Sequence, residues 1–245
     1  MSLADPRQLR AVTFDCWGTL IHLRDEDAML ELRVEAICAV ARDAGSDPAR
    51  QDVRRAFAAA WQRHNQLWTE GVTSGAPEMA GWTLEALGIG NTALAGKLAH
   101  ALEQSMSDGE CAMLEGARDT LERLAERGVR RALICDTGIS PGSVVRRTLD
   151  RLGLLELLEV QVFSNEAGVP KPNPRVFHAA LEPLGVASAD AVHVGDLRRT
   201  DVAGARGVGM GSIRIRQVHD DRSEHPEADA VADSHRHLLE ILTPD

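Results

Sequence analysis

A chain of 245 residues with a formal net charge of -10, 27 Lys and Arg against 37 Asp and Glu, has length for one large or two small domains and a substantial core. The acidic balance argues against non-specific binding to nucleic acid or an anionic membrane, and no apolar run approaches the ~20 residues a membrane span needs. The start MSLADPRQLR lacks a signal-peptide apolar region, so a soluble, cytoplasmic protein is expected.

In chain order, the first element is AVTF, residues 11–14, a β-branched apolar run read as a buried strand that delivers Asp15 at its C-terminal end, with a turn at Gly18. A long segment of different pattern follows. Leu30, Val34, Ile37 and Ala41 recur at helical spacing up to Gly45, and Val53, Phe57, Trp61 and His64 repeat it, which predicts an all-helical insertion over residues 21–109. The acidic run Asp25, Glu26 and Asp27 opens its first helix, favoured by the helix dipole. Four further strands are expected at RALIC (131–135), VQVF (160–163), AVHV (191–194) and SIRI (212–215), with helical stretches between them. Strands alternating with helices predict a doubly wound parallel sheet, built from residues 1–20 and 110–245. A last helix in DSHRHLLEIL is capped by Asp233 or Ser234.

Polar groups cluster just after four of these strands: Asp15 with Gly18 and Thr19, then Asp136-Thr137-Gly138, then Lys171 in GVPKPNP, then Asp196 and Asp201 in GDLRRTD. In an open parallel α/β sheet ligands bind at that edge, so these side chains are expected to converge. A carboxylate nucleophile beside a lysine and a second acidic pair suits phosphoryl transfer, in which a hard divalent cation bridges carboxylates and phosphate oxygens. Lys171 would neutralise charge building on the equatorial oxygens, and Thr137 with backbone N–H groups would cradle one of them.

In order and spacing, DxxGT at Asp15, KPxP at Lys171 and GDxxxxD at Asp196 resemble the ordered motifs of the haloacid dehalogenase superfamily, with a helical cap inserted after the first motif. The resemblance implies a Rossmann-like core, Asp15 as nucleophile forming an aspartyl intermediate, and Mg²⁺ held by Asp15, the backbone carbonyl of Trp17 and Asp196. Asp201 would act through water or by orienting the site, while Trp17, Gly18, Thr19 and Gly138 would lie along the substrate. The partner expected is a small phosphorylated molecule, with the chain a monomer or a homodimer.

The chain departs from the phosphatases of the superfamily at Trp17, and from its dehalogenases in three places, Asp196, Phe177 and Asp136. Phosphatases of the superfamily usually carry a second Asp where Trp17 stands; indole has one N–H donor and no titration near neutrality, so it cannot protonate a leaving group. An aromatic residue there resembles instead the 2-haloacid dehalogenases, which use the Asp nucleophile without metal. Those enzymes carry Ser and Asn in the fourth motif, where this chain has Asp196, and a tyrosine hydroxyl where Phe177 stands. Asp136 occupies a position where a hydroxyl normally meets phosphate; it either substitutes for the missing general acid or caps the following helix, leaving the hydroxyl to Thr137. A Mg²⁺-dependent phosphohydrolase is therefore expected, with dehalogenase and catalytically silent phospholigand-binding protein as alternatives.

Other polar and aromatic groups invite plainer readings. Trp61 and Trp68 form a substrate-facing wall or, as aromatics at helical spacing more often do, core packing of the insertion. Arg198 and Arg199 either meet a substrate anion or lie on a solvated loop. His219, His225, His235 and His237 lack a metal-ligand spacing. The four cysteines, Cys16, Cys38, Cys111 and Cys135, have no CxxC pair and read as buried, reduced thiols.

Overall fold

A computed structural model describes residues 9–106 and 111–244. The leader reading and the C-terminal limit of the insertion near residue 109 fall on residues outside that range. The strands are β1 (Ala11–Phe14), β2 (Ile21–Leu23), β3 (Cys111–Met113), β4 (Arg130–Cys135), β5 (Val160–Phe163), β6 (Ala191–Gly195), β7 (Gly211–Ile215) and β8 (Ala230–Ala232). The helices are α1 (Glu26–Asp43), α2 (Arg50–Thr69), α3 (Ala76–Ala86), α4 (Thr92–Gln104), α5 (Ala117–Glu126), α6 (Gly142–Arg151), α7 (Ser164–Ala167), α8 (Pro174–Leu184), α9 (Ala203–Gly207) and α10 (His235–Leu242). No described helix is long and apolar enough to cross a membrane.

The residues form two compact units. Of the described residues, the first comprises 9–22, 112–136 and 149–244; the second, 23–106 and 111 together with 137–148. The first unit is built on a six-stranded parallel sheet of order β5-β4-β1-β6-β7-β8. All five expected strands are present, and helices surround the sheet as a doubly wound, Rossmann-like α/β fold requires. β1 is buried along its whole length, as a central parallel strand covered on both faces must be. The sheet packs on α8 through Val176, Phe177, Ala180, Leu181 and Leu184, which cluster with Ala132, Ile134 and Val162 from the strands.

The order of strands positions the chemistry. From β1 the chain passes to β4 and then outward to β5 on one side, then returns to β6 on the other, so β1 is the strand where the winding direction reverses. Phe14 is level with Leu133 of β4 and with Val194 of β6. Asp15, the next residue, therefore leaves the sheet between the ends of both neighbours.

The second unit is a four-helix cluster, α1 to α4, around Val34, Ile37, Ala41, Val53, Phe57, Met79, Leu84, Leu98 and Leu102. Asp25 caps α1 by accepting from the Ala28 N–H at 2.9 Å, with Glu26 and Asp27 in the first turn. Residues 137–148 belong here because Ile139 is buried in this apolar cluster and the Ser140 hydroxyl meets Met106 Sδ at 3.5 Å. Trp61 is 38% exposed rather than core. It flanks the buried His64, ring centroids 5.3 Å apart; on α2 the apolar stripe ends at Ala60, and Trp61 lies one step round the helix from it. The two short strands β2 and β3, where the chain leaves and re-enters the sheet unit, pair with each other.

Candidate active site

The first motif is a tight loop locked by its own backbone. The Gly18 N–H donates to the Ile21 carbonyl at 2.8 Å, and the Leu20 and Ile21 N–H groups both reach the Cys16 carbonyl, at 2.9 and 3.0 Å. Gly18 is needed twice over: its φ is +73°, and a Cβ there would stand 2.6 Å from Asp196 Oδ2. Thr19 is fully buried, with a hydroxyl that has no hydrogen-bond partner. Its carbonyl meets His235 Nε2 at 2.8 Å, while His235 Nδ1 lies 3.0 Å from the Thr120 hydroxyl. His235, the first helical residue of α10, is thus a buried strut against the loop that follows Asp15, with Ser234 as the cap of α10.

Lys171, 2% exposed, lies between two carboxylates: its Nζ donates to Asp15 Oδ1 at 2.5 Å and to Asp201 Oδ1 at 2.7 Å. Burial works against its charge, but Asp15, Asp201 and Asp136 together hold the ammonium well above its ordinary range. Asp136 Oδ1 accepts the Lys171 backbone N–H at 2.9 Å. Asp136 is therefore a latch between the end of β4 and the lysine loop. The following helix begins six residues later, at Gly142, because residues 137–141 belong to the second unit. Thr137 and Gly138 go with them; a Cβ on Gly138 would lie 3.1 Å from His64 Nε2, and the His64 Nδ1 meets the Ser74 hydroxyl at 2.7 Å.

Asp201 sits on a single π-helical turn, Arg198–Val202, an irregularity that recurs at functional sites. It is packed against Gly195, where a Cβ would come within 2.3 Å of its Cγ. Both of its oxygens are engaged. Oδ1 takes Lys171 Nζ and His193 Nε2, the latter at 3.1 Å; Oδ2 takes the Leu197 N–H at 3.0 Å and the Thr200 hydroxyl at 3.3 Å. Burial alone would raise this carboxyl, but Lys171 and His193 outweigh it and keep Asp201 an anion far below the usual carboxylate range.

Asp15 and Asp196 behave in the opposite way. Burial, with Asp201 adding repulsion, pushes Asp15 up to about 7 in spite of Lys171. Burial, then Asp15 and Asp201, push Asp196 up to about 8. Two carboxyl groups that cannot both hold their charge call for a cation between them. Among the described residues no three His, Cys, Asp or Glu side chains form a metal cage. Two carboxylates plus a backbone carbonyl are instead the sparse oxygen set that Mg²⁺ accepts, the rest of its shell being water and phosphate oxygens.

Cys16 is buried beside Cys135, and burial raises the Cys16 thiol well above its ordinary range, away from the thiolate. Phe177 is wholly buried and meets the His193 ring edge-on at 5.1 Å. Arg198 ties back to Glu227 and to the Ser223 and His225 carbonyls. A cavity of about 670 Å³, lined by Glu115, Asp119, Glu122, Arg123, Gln217 and Arg236, contains none of the motif residues. His193 escaped the sequence reading, and His235 entered it only as a metal-ligand candidate. The one available signal for His193 was a titratable residue inside an apolar strand, AVHV, where it must find partners.

The haloacid dehalogenase-like hydrolase family model matches residues 9–209, which takes in all four motifs. The chain belongs to that family. It is 29% identical over 221 residues to haloacid dehalogenase-like hydrolase domain-containing protein 3 of Bos taurus, covering 87% of this chain and 84% of that one. It is 35% identical over 129 residues to the glyceraldehyde 3-phosphate phosphatase of Methanopyrus kandleri, a match spanning 50% of this chain and 53% of the other. Among solved structures, a HAD phosphatase from Thermococcus onnurineus superposes with a TM-score of 0.69 at 22% identity, over 97% of this chain and 99% of that chain.

Proposed function

We propose that this hydrolase is a Mg²⁺-dependent phosphohydrolase of a small phosphorylated metabolite. The observation that carries this reading is the pair Asp15 and Asp196, which crowd one loop and are both forced away from their ordinary ionisation. A halide-displacing enzyme without metal has no use for the second carboxylate. The phosphatase named among the relatives supports the same class.

Asp15, Asp196 and the Trp17 carbonyl would hold the ion, which when bound would neutralise the carboxylates and polarise phosphate oxygens. Asp15 attacks phosphorus through one carboxylate oxygen, the bond to the leaving oxygen breaks, and an aspartyl phosphate forms that water then hydrolyses. Lys171 balances negative charge on the transferred group. Asp201, saturated by hydrogen bonds, orients Lys171. With Trp17 where a second Asp would serve, the leaving oxygen must take its proton from elsewhere. General acid catalysis is worth about 10²–10⁴-fold, so good leaving groups, such as acyl phosphates, are favoured over alkyl esters.

A panel of sugar phosphates, nucleotides, acyl phosphates and p-nitrophenyl phosphate, assayed with and without Mg²⁺, tests this. Turnover that needs both Mg²⁺ and Asp15 is expected. Ligand-induced stabilisation without turnover would identify a silent binding protein; metal-independent chloride release from 2-chloropropionate would identify a dehalogenase.

A further inference from the structure

A buried string of hydrogen bonds runs beneath the nucleophile, and its middle member has no part in the chemistry described so far. The Thr13 hydroxyl, fully buried on β1 two residues before Asp15, lies 2.7 Å from His193 Nδ1. His193 Nε2 lies 3.1 Å from Asp201 Oδ1, the oxygen that also receives Lys171 Nζ. An anionic oxygen can only accept, so Nε2 carries the proton, Nδ1 is the acceptor, and the Thr13 hydroxyl donates to it. Burial disfavours the imidazolium, and the neutral ring satisfies both contacts. The ring plane is fixed by Phe177, whose edge-on packing is in turn permitted by Gly204, where a Cβ would strike the Phe177 ring at 2.4 Å.

From this we infer that His193 is a positioning residue of the reaction, a neutral donor that clamps Asp201 so that Lys171 keeps its place when Asp15 is consumed. The inference rests on the phosphohydrolase reading. Lys171 has two anionic partners in the resting site. Once an Asp15 oxygen becomes an acyl-phosphate ester, that carboxylate loses its charge, and Asp201 alone anchors the ammonium against the phosphoryl oxygens. A freely rotating Asp201 would let the ammonium drift. The Nε2–H bond to Oδ1, with the Leu197 N–H on Oδ2, removes that freedom. Thr13 contributes by fixing the tautomer, since its hydroxyl donates only to an unprotonated Nδ1.

Steady-state kinetics with p-nitrophenyl phosphate and Mg²⁺, on His193→Leu, His193→Gln, Thr13→Val, Thr13→Ser and the Thr13→Val/His193→Leu double variant, test this, alongside the imidazole ¹⁵N spectrum of the wild type. Hydrogen bonds to charged groups are the strong ones, so His193→Leu should lower kcat about ten- to a hundredfold with KM within about threefold. His193→Gln, which restores an N–H donor, should recover to within about fivefold. Thr13→Val should lose part of the rate and Thr13→Ser almost none, and the double variant should be no slower than His193→Leu, as for residues acting through one contact. The ¹⁵N spectrum should show a neutral ring protonated at Nε2. Unchanged kcat in folded His193→Leu, equal losses in Leu and Gln, or a ring protonated at Nδ1 would overturn the inference. Should His193→Leu fail to fold, the Thr13 pair and the wild-type spectrum decide. If the wild type hydrolyses no phosphate ester, the phosphohydrolase reading falls; the spectrum then stands by itself, with Nε2–H upholding the clamp and Nδ1–H removing it.

Discussion

Replacing Asp196 by Asn should stabilise the metal-free protein while abolishing its activity, and the size of the effect follows from the crowding of the site. Asp196 is moved from an ordinary 3.8 up to about 8 by burial and by Asp15 and Asp201. For a carboxyl raised on folding, the unfolded chain releases its proton first, so the stability it contributes is full below about pH 4 and is lost as pH rises towards 8. The shift sets a ceiling of about 5 kcal/mol near pH 7.5. Water penetration and relaxation reduce this to about 2–4 kcal/mol, as the high effective dielectric of real sites implies. The Asn variant, an isostere without the charge, should therefore melt about 4–16 °C higher than wild type in EDTA at pH 7.5, at roughly 2–4 °C per kcal/mol for a chain of this size. The gain should vanish below about pH 4 and grow through pH 8. Saturating Mg²⁺ should raise the melting temperature of the wild type and leave that of the variant almost unmoved. Scanning calorimetry from pH 4 to 8, with and without Mg²⁺, is the measurement. An Asn variant less stable than wild type in EDTA, or one that Mg²⁺ stabilises equally, would refute the reasoning.

Lys171→Met should cost about 3–5 kcal/mol, because it leaves Asp15 and Asp201 buried without their cation; urea unfolding at neutral pH measures it, and turnover should be lost. Gly195→Ala must displace Asp201, whose Cγ would be 2.3 Å from the new Cβ. A loss of about 1–3 kcal/mol and of most activity is expected, read by thermal melting and by initial rates. Asp136→Asn keeps an oxygen for the Lys171 N–H and should leave p-nitrophenyl phosphate turnover within about tenfold, a charge-assisted bond giving way to a neutral one, whereas a selective loss on alkyl esters with poor leaving groups would identify Asp136 as the missing acid. Trp17→Asp should act in the opposite sense, raising kcat for alkyl esters by at least about tenfold if proton transfer limits them; equal rates on both substrate classes would show that it does not.

The parallel core was legible because each central strand is a short apolar run ending in a polar residue, and such runs have few other solutions. AVTF, VQVF and the others lie where expected. The three-residue strands β2, β3 and β8 are too short to carry a period of two. The π-helical turn at Arg198–Val202 has no local sequence cause; it arises where Asp201 reaches back over Gly195. Trp61 misled because helical spacing gives a stripe but not its edge. The roles of His193 and His235 were not legible for a common reason: each is defined by partners on other elements, Thr13 and Asp201 for one, Thr19 and Thr120 for the other. Spacing rules report neighbours along one element and are silent about such pairs.

Trp17 shows why a motif can lose a side-chain function and keep the rest. The loop from Cys16 to Ile21 is set by five groups of its own backbone, the Gly18, Leu20 and Ile21 N–H groups and the Cys16 and Ile21 carbonyls, together with the positive φ of Gly18. None of these depends on what residue 17 carries beyond its Cα. The direction of the Trp17 carbonyl is therefore retained whether the side chain is a carboxylate or an indole, and so is the approach of Asp196 over Gly18. Asp15, Lys171, Asp196 and Asp201 form one buried electrostatic unit, in which Lys171 lowers Asp15 and Asp201 and the other three all bear on Asp196. Changing any of them alters the stability of the fold, in one direction or the other. Trp17 lies half-buried at the edge of that unit, so on the phosphohydrolase reading the proton that a carboxylate there would supply becomes a demand on the substrate's leaving group.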